Sequence, residues 1–381
     1  MSQETKIALV HDWLTGMRGG EKCLESFCEL FPEADVYTLL YFPERVSKTI
    51  RSRAVFPSWL NRVYGVEKHY RYFLPLFPTL VEGFDIQGYD VILSSSHCVA
   101  KGINPRGTLH IAYIHSPMRY VWDMHELYFG PGSPWLARMG MALCRKYLQQ
   151  WDIRSSRQVH YFLANSRNVA AKIQKIYNRE AAVIYPPVDV EAFELRDGPG
   201  AYYLIVSALV PYKKIDVAID AFNRLRLPLK IAGDGPLRKR LQEKAGPTVE
   251  FLGWVDQRDL LNLYGDCKAL VFPGEEDLGL SPLEAQACGR AVIAYGKGGA
   301  TETINPANAL GGLTVHEDEP TGVFFYEPTP TSLIGAVELF EQQRRSFEPK
   351  AIRRQARRFS KSRFKEEISR YVDVRLREWR R

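Results

Sequence analysis

The chain has 381 residues, 45% hydrophobic and 25% charged, which is ordinary for a globular protein and, at about 150 residues per domain, suggests two or three domains. That composition excludes a disordered chain, a coiled coil and a disulfide-stapled miniprotein, and no apolar run approaches the ~18 residues of a spanning helix. The net charge of +7 is uneven: from Ala351 to Arg381 twelve Lys/Arg face four Asp/Glu, so the rest of the chain is close to neutral.

Six cysteines occur without a CxxC pair, and they read as reduced thiols of a cytoplasmic protein. The start, MSQETKIALV, runs directly into a strand-like segment and leaves no room for a secretory leader. The basic terminus is not accompanied by a zinc-finger, RNP or basic-zipper signature, so no nucleic-acid partner is expected. An anionic membrane surface at the inner face of the cytoplasmic membrane suits such a tail, although a solvated helix face has equal weight.

In chain order, Lys6–Val10 is a β-prone run and Glu21–Leu30 carries apolar residues at helical spacing. Val36–Leu40, Val91–Ser94 and His110–Ile114 read as strands, and Ser166–Ile176 as a helix. In the second half, Tyr202–Val206, Leu229–Ala232, Val249–Leu252, Ala269–Phe272 and Ala291–Ala294 are short strands. The helical segments Asp216–Arg226, Leu237–Ala245 and Leu283–Cys288 separate them. Such alternation predicts βαβ units and parallel sheets. Tyr185–Val188 and Asp197–Gly200 read as a hinge between two such series. Arg51–Phe84 interrupts the pattern with interleaved aromatic and basic residues, and suits either inward packing or an amphipathic surface element.

Several turns are candidates for chemistry. His11–Asp12–Trp13 follows the first strand, and Gly19–Gly20 precede a helix whose N-terminus favours an anion. They do not form GxGxxG, which argues against a nicotinamide cofactor. His115, with Arg119 close by, follows a strand at the end where open α/β sheets bind ligands. Lys213–Lys214 precede a helix and suit a phosphate group. Gly233 lies in a Gly-Asp-Gly turn after a strand. The segment from Val271 to Gly289 ends a strand in Glu275–Glu276–Asp277, passes through Gly279, Leu280 and Ser281, and enters a helix near Pro282. Glu276 is placed in the loop and Glu284 in the first turn of the helix. Carboxylates there can accept from sugar hydroxyls while backbone amides face an anion.

Taken together, these motifs resemble the family 4 retaining glycosyltransferases of the GT-B fold. The residues are Glu276 to Glu284, Pro211-Tyr-Lys-Lys, Ala232-Gly-Asp-Gly-Pro, Phe251-Leu-Gly-Trp-Val and Gly298-Gly-Ala-Thr-Glu. The first half contributes Gly19–Gly20, His115-Ser-Pro, Ala164-Asn-Ser and Tyr185-Pro-Pro-Val-Asp. The His11-Asp-Trp-Leu and Tyr113-to-Tyr120 segments resemble a bacterial mannosyltransferase-like branch of surface-polysaccharide assembly.

The resemblance implies two Rossmann-like domains facing across a cleft. Residues 1–187, with a C-terminal helix of about 360–381 crossing back, would bind the acceptor. Residues 188–359 would bind the nucleotide sugar. It implies transfer of a sugar, best guess mannose from GDP-mannose, to a glycan or lipid-linked acceptor, with no metal and no cofactor. It assigns His115, Glu276 and Lys213 to catalysis. Gly19, Gly20, Lys214, Gly233, Val255, Gly279, Leu280, Ser281 and Glu284 go to the donor, and Asp12, Trp13 and Arg119 to the acceptor. One departure stands out: Ala208 occupies a position where the family usually carries Arg, which removes one cation expected on the diphosphate. A non-catalytic, glycosyltransferase-like binding subunit is the alternative that Ala208 supports.

Overall fold

The computed structural model describes residues 5–123, 125, 129, 135–198, 200–307 and 319–381; Pro199 of the expected hinge lies outside the described residues. The chain divides into two compact units, Met1–Pro187 with Ser362–Arg381, and Val188–Lys361.

Among the described residues the first unit holds seven strands: β1 (Ile7–His11), β2 (Asp35–Thr38), β3 (Val55–Pro57), β4 (Val91–Ser96), β5 (Leu109–Ile114), β6 (Tyr161–Ala164) and β7 (Ala181–Val183). Their order is β3-β2-β1-β4-β5-β6-β7, and every pairing is parallel. Every residue of β1, β4 and β5 is buried, as parallel strands covered on both faces require. The second unit holds β8 (Tyr202–Val206), β9 (Leu229–Ala232), β10 (Val249–Gly253), β11 (Cys267–Phe272), β12 (Ala291–Tyr295) and β13 (Gly322–Phe325). They are also all parallel, in the order β10-β9-β8-β11-β12-β13. Both units are doubly wound Rossmann-like sheets. The strands β3, β6, β7 and β13, of three or four residues, were not among those read from the sequence.

Helix boundaries follow local chemistry. Ser166 caps the helix Arg167–Tyr177 by accepting from the Val169 amide, and Asn178 closes it in the left-handed region, as caps of these types do. The helix after β11 starts earlier than expected, at Leu280 rather than near Pro282. Proline is tolerated in a first turn because the amide it lacks would have no partner there.

The C-terminal helix Lys361–Trp379 belongs to the first unit. It buries Phe364, Ile368, Val372 and Leu376, spaced by four, against residues that include Phe27 and Tyr113. Its cations are largely matched. Arg363 pairs with Glu367 at 2.9 Å, Arg370 with Glu366 at 3.0 Å, Arg375 with Glu378 at 2.6 Å and Arg380 with Asp90 at 2.7 Å, and Lys365 pairs with Glu29. The basic tail is therefore a packed and locally neutralised element.

The Arg51–Phe84 stretch divides its aromatics. Tyr70, Phe77 and Phe84 enter the core, whereas Phe56, Trp59, Tyr64 and Tyr72 are exposed.

Ile368 is fully buried on the terminal helix. Ile368→Ala leaves a cavity and is expected to destabilise the first unit by about 2–5 kcal/mol; denaturant unfolding followed by circular dichroism measures it.

Candidate active site

In an open α/β sheet, ligands bind at the carboxyl ends of the strands where the strand order reverses. In the second unit that point lies between β8 and β11. The loop after β8 leads to the turn Pro211–Lys213, and the loop after β11 carries Glu276. The Lys213 ammonium and the Glu276 carboxylate form a hydrogen-bonded ion pair. Lys213 also lies over the Tyr212 ring, 5.2 Å from its centroid.

The pair depends on close backbone approach. A Cβ on Gly274 would stand 2.7 Å from the Lys213 Cα. A Cβ on Gly298, whose φ is +63°, would stand 2.4 Å from the Glu276 carbonyl oxygen. The neighbouring Gly299 amide donates to that same oxygen at 2.9 Å. Gly233 does the same for the β8 loop, with φ +132° and a Cβ position 1.9 Å from the Ser207 carbonyl oxygen. Only glycine combines that backbone angle with that space.

Lys214 adopts φ +52° and caps the helix Ile215–Leu225, a conformation that costs a non-glycine residue about 1 kcal/mol or more and often marks a functional turn. Gly279 caps the helix Leu280–Ala287, so the amides of Leu280 and Ser281 belong to its open N-terminal turn. Glu284 sits in the second turn of that helix, one turn later than expected, because the helix begins at Leu280. It is buried and accepts a 2.7 Å hydrogen bond from the Tyr264 hydroxyl. Val255 follows the end of β10, next to the exposed Trp254. Ala208 is exposed in the β8 loop.

The corresponding point of the first unit lies between β1 and β4. Ser95, at the end of β4, bridges His11 Nδ1 at 3.1 Å and His115 Nε2 at 2.8 Å. Gly20, in the first turn of the helix Gly19–Leu30, faces these rings. A Cβ there would stand 3.4 Å from His11 and 3.7 Å from His115. The buried His11 Nε2 has no partner.

Asp12 is fully buried. Its carboxylate accepts from four backbone amides, those of His97, Cys98, Val99 and Ala100, at 2.6 to 3.0 Å, and from the His97 ring at 3.0 Å. Trp13 is buried against Tyr70, Phe77 and His97. That geometry gives Asp12 and Trp13 a supporting part in the β4 loop, where the resemblance implied an acceptor contact. Arg119 is half-buried in the segment after β5.

Sequence reading named His11 only as the head of a candidate turn, and it did not single out Ser95 or His97. Three consecutive serines closing a fully buried strand are a signal that could have found Ser95. Its partners come from two other strands.

Burial lowers the His11 and His115 rings from their usual value, and the nearby His97 adds to this; His110, inside the sheet, is pushed to about 3. Burial alone would raise the Asp12 carboxyl, but His97 overcomes this and holds it below the usual range.

The chain matches two family models, that of glycosyltransferase family 4 over residues 17–192 and that of the glycosyl transferases group 1 over 190–359. The chain belongs to the family 4 glycosyltransferases. It is 28% identical over 184 residues to the O-antigen chain mannosyltransferase C of Escherichia coli, covering 44% of this chain and 50% of that one. It is 35% identical over 120 residues to the GDP-mannose-dependent monoacylated alpha-(1-6)-phosphatidylinositol monomannoside mannosyltransferase of Corynebacterium glutamicum, covering 27% and 32%. These matches span half or less of the relatives' length.

Two solved structures share the fold. Sucrose-phosphate synthase from Thermosynechococcus elongatus has a TM-score of 0.74 at 15% identity, covering 98% of this chain and 100% of that one. Anabaena Alr3699/HepE in complex with UDP and glucose has a TM-score of 0.70 at 16%, covering 97% and 100%. The fold class is thereby that of the GT-B glycosyltransferases.

The buried histidines set a pH dependence. An unfolded histidine takes up its proton near 6.5, whereas the folded His11, His110 and His115 resist until lower pH. The unfolded state therefore binds more protons in that window, and stability falls as pH drops. The melting temperature is expected to decrease steadily from pH 7 towards pH 4, as scanning calorimetry across that range measures.

Proposed function

We propose that this glycosyltransferase moves mannose from GDP-mannose to a glycan or lipid-linked acceptor, with retention at the anomeric carbon, in the assembly of a surface polysaccharide. The observation that carries the reading is the Lys213–Glu276 pair at the strand-order reversal of the second unit, beside the N-terminal turn of the helix Leu280–Ala287. Negative charge builds on a nucleoside diphosphate as its sugar departs. A lysine and a helix N-terminus are fixed, positively polarised groups that stabilise such charge without reorganising.

In this reading Lys213 leaves its pairing with Glu276 to meet the diphosphate, with the amides of Gly279, Leu280 and Ser281 and the neighbouring Lys214. Glu276 is then free to accept from sugar hydroxyls. Glu284, already oriented by Tyr264, takes the ribose, and Gly233 and Val255 line the nucleotide's path. In the first unit, Gly19 and Gly20 offer a side-chain-free turn to the donor. His115 is neutral near pH 7, contacts the sugar near the reacting carbon, and is oriented by Ser95. Arg119 is assigned to the acceptor. No resident metal or other cofactor is required, because Lys213 and the helix terminus supply the positive charge.

Mannose and GDP are favoured by the activities of the bacterial relatives, a mannosyltransferase and a GDP-mannose-dependent mannosyltransferase. A non-catalytic role resting on Ala208 is less favoured, because Lys213 and Glu276 are assembled in hydrogen-bond contact. A thermal-shift panel of GDP, UDP and ADP with their sugar conjugates tests the donor. Preferential stabilisation by GDP is expected, and preference for another diphosphate overturns that assignment.

Two activity predictions follow from the same geometry. Lys213→Ala and Glu276→Ala each lose one preorganised contact at the reacting centre, worth about 3 kcal/mol. Each is expected to lower turnover by about a hundredfold, read as nucleoside diphosphate release with acceptor present. Turnover in excess chelator is expected to equal that in its absence; loss restored by magnesium or manganese would contradict the metal-free reading.

A further inference from the structure

Exposed apolar side chains are not spread evenly over the described residues. Of thirteen large ones, ten fall between Phe56 and Tyr147 in the first unit. Four of these, Trp135, Met139, Leu143 and Tyr147, recur every fourth residue along the helix Trp135–Ser156. Residues spaced by four form one gently spiralling stripe on a helix. The opposite side of the helix, with Met141, Leu148 and Trp151, is buried in the core. Tyr70 and Leu74 enter the same core from the Tyr70–Leu76 segment, which packs on this helix. Tyr72 and Leu76 of that packed segment are themselves exposed.

The charge of this surface is one-sided. Residues 51–76 and the helix Trp135–Ser156 together hold nine Lys/Arg against two Asp/Glu. Neither acid opposes the surplus, although Arg154, one of the nine cations, lies 3.7 Å from Glu82. Asp152 is buried, 2.9 Å from Lys101, and Glu67 is paired with Arg45 at 2.9 Å. Arg62, Lys68, Arg71 and Lys146 are exposed.

We propose that the first unit docks on an anionic lipid bilayer through the outer face of the helix Trp135–Ser156 and the adjoining 56–76 segment. The basic C-terminal helix does not dock, because its apolar face is buried and most of its cations are paired within the unit. Aromatic and leucine side chains interleaved with Lys/Arg are the composition of a peripheral membrane face: the rings enter the headgroup region and the cations meet lipid phosphates. Leu143 and Tyr72 are 77% and 73% exposed, well placed to enter a headgroup region beside the exposed Lys146 and Arg71. This inference goes beyond the donor and acceptor reading and does not need it, since binding to a vesicle requires no turnover.

Co-sedimentation with phosphatidylcholine vesicles, with and without phosphatidylglycerol, tests it. The chain is expected to pellet with the anionic vesicles at low salt, to pellet less at high salt, and to pellet least with phosphatidylcholine alone. Lys146→Glu with Arg71→Glu is expected to lower the partition at least about fivefold, the worth of one cation near the surface. Trp135→Ser with Leu143→Ser is expected to remove the salt-resistant part. Arg377→Glu, on the exposed side of the terminal helix, is expected to leave binding unchanged. All these positions are exposed, and an unchanged melting temperature confirms that each variant is folded. The proposal is overturned if the chain stays in the supernatant or if Arg377→Glu abolishes binding. It is also overturned if light scattering shows a dimer that Leu143→Ser dissociates, since the stripe would then be a contact between copies.

Discussion

A parallel sheet delivers all of its strand ends to one edge. Where the strand order reverses, the outgoing loops turn to opposite faces and leave a gap between them. That constraint acts once in each unit, between β1 and β4 and between β8 and β11. Lys213 and Glu276 meet because they leave the two strands that flank the second gap. His11, Ser95 and His115 meet because they leave three adjacent strands at the first. Glycine at the loop contacts lets these backbones approach within distances that a Cβ would forbid.

The two gaps are chemically different. In the first, Asp12 spends its carboxylate on four backbone amides and on His97, which fixes the loop after β4 and leaves little ionic character facing outward. The histidines beside it are held neutral by burial, so they exchange hydrogen bonds rather than carry charge. In the second, a lysine–glutamate pair and the N-terminus of a helix concentrate charge and dipole. A partly buried ion pair of this kind is poor evidence for stability, because desolvation offsets much of its attraction. It fits better as a poised device whose members separate to meet an anion and a hydroxyl.

The outer surface follows from a simple balance. The terminal helix brings many cations to the first unit, but it also brings acids at helical spacing and meets Glu29 and Asp90. The 56–76 segment and the helix Trp135–Ser156 have few acids of either origin. Surplus charge therefore stays exposed where the apolar residues are exposed, rather than where the sequence is most basic.

From the sequence alone, the alternation of short apolar runs with helical periods determined two Rossmann-like series, and the turn after β11 was readable as a ligand loop. These are local properties: burial on both faces demands a continuous apolar run, and a Gly-rich turn before a helix exposes amides whatever surrounds it. The short strands β3, β6, β7 and β13 were not read from the sequence; all but β6 are edge strands, and β6 pairs next to an edge, where the sheet recruits them by pairing. Ser95 was invisible because it is ordinary in its own segment, and only strand register sets it beside His11 and His115. Register also decided the fate of Asp12, which the resemblance assigned to the acceptor and which accepts hydrogen bonds from four internal backbone amides. The distribution of ion pairs along the terminal helix was likewise settled by packing, because a count of charges does not say which of them face an acid across the fold.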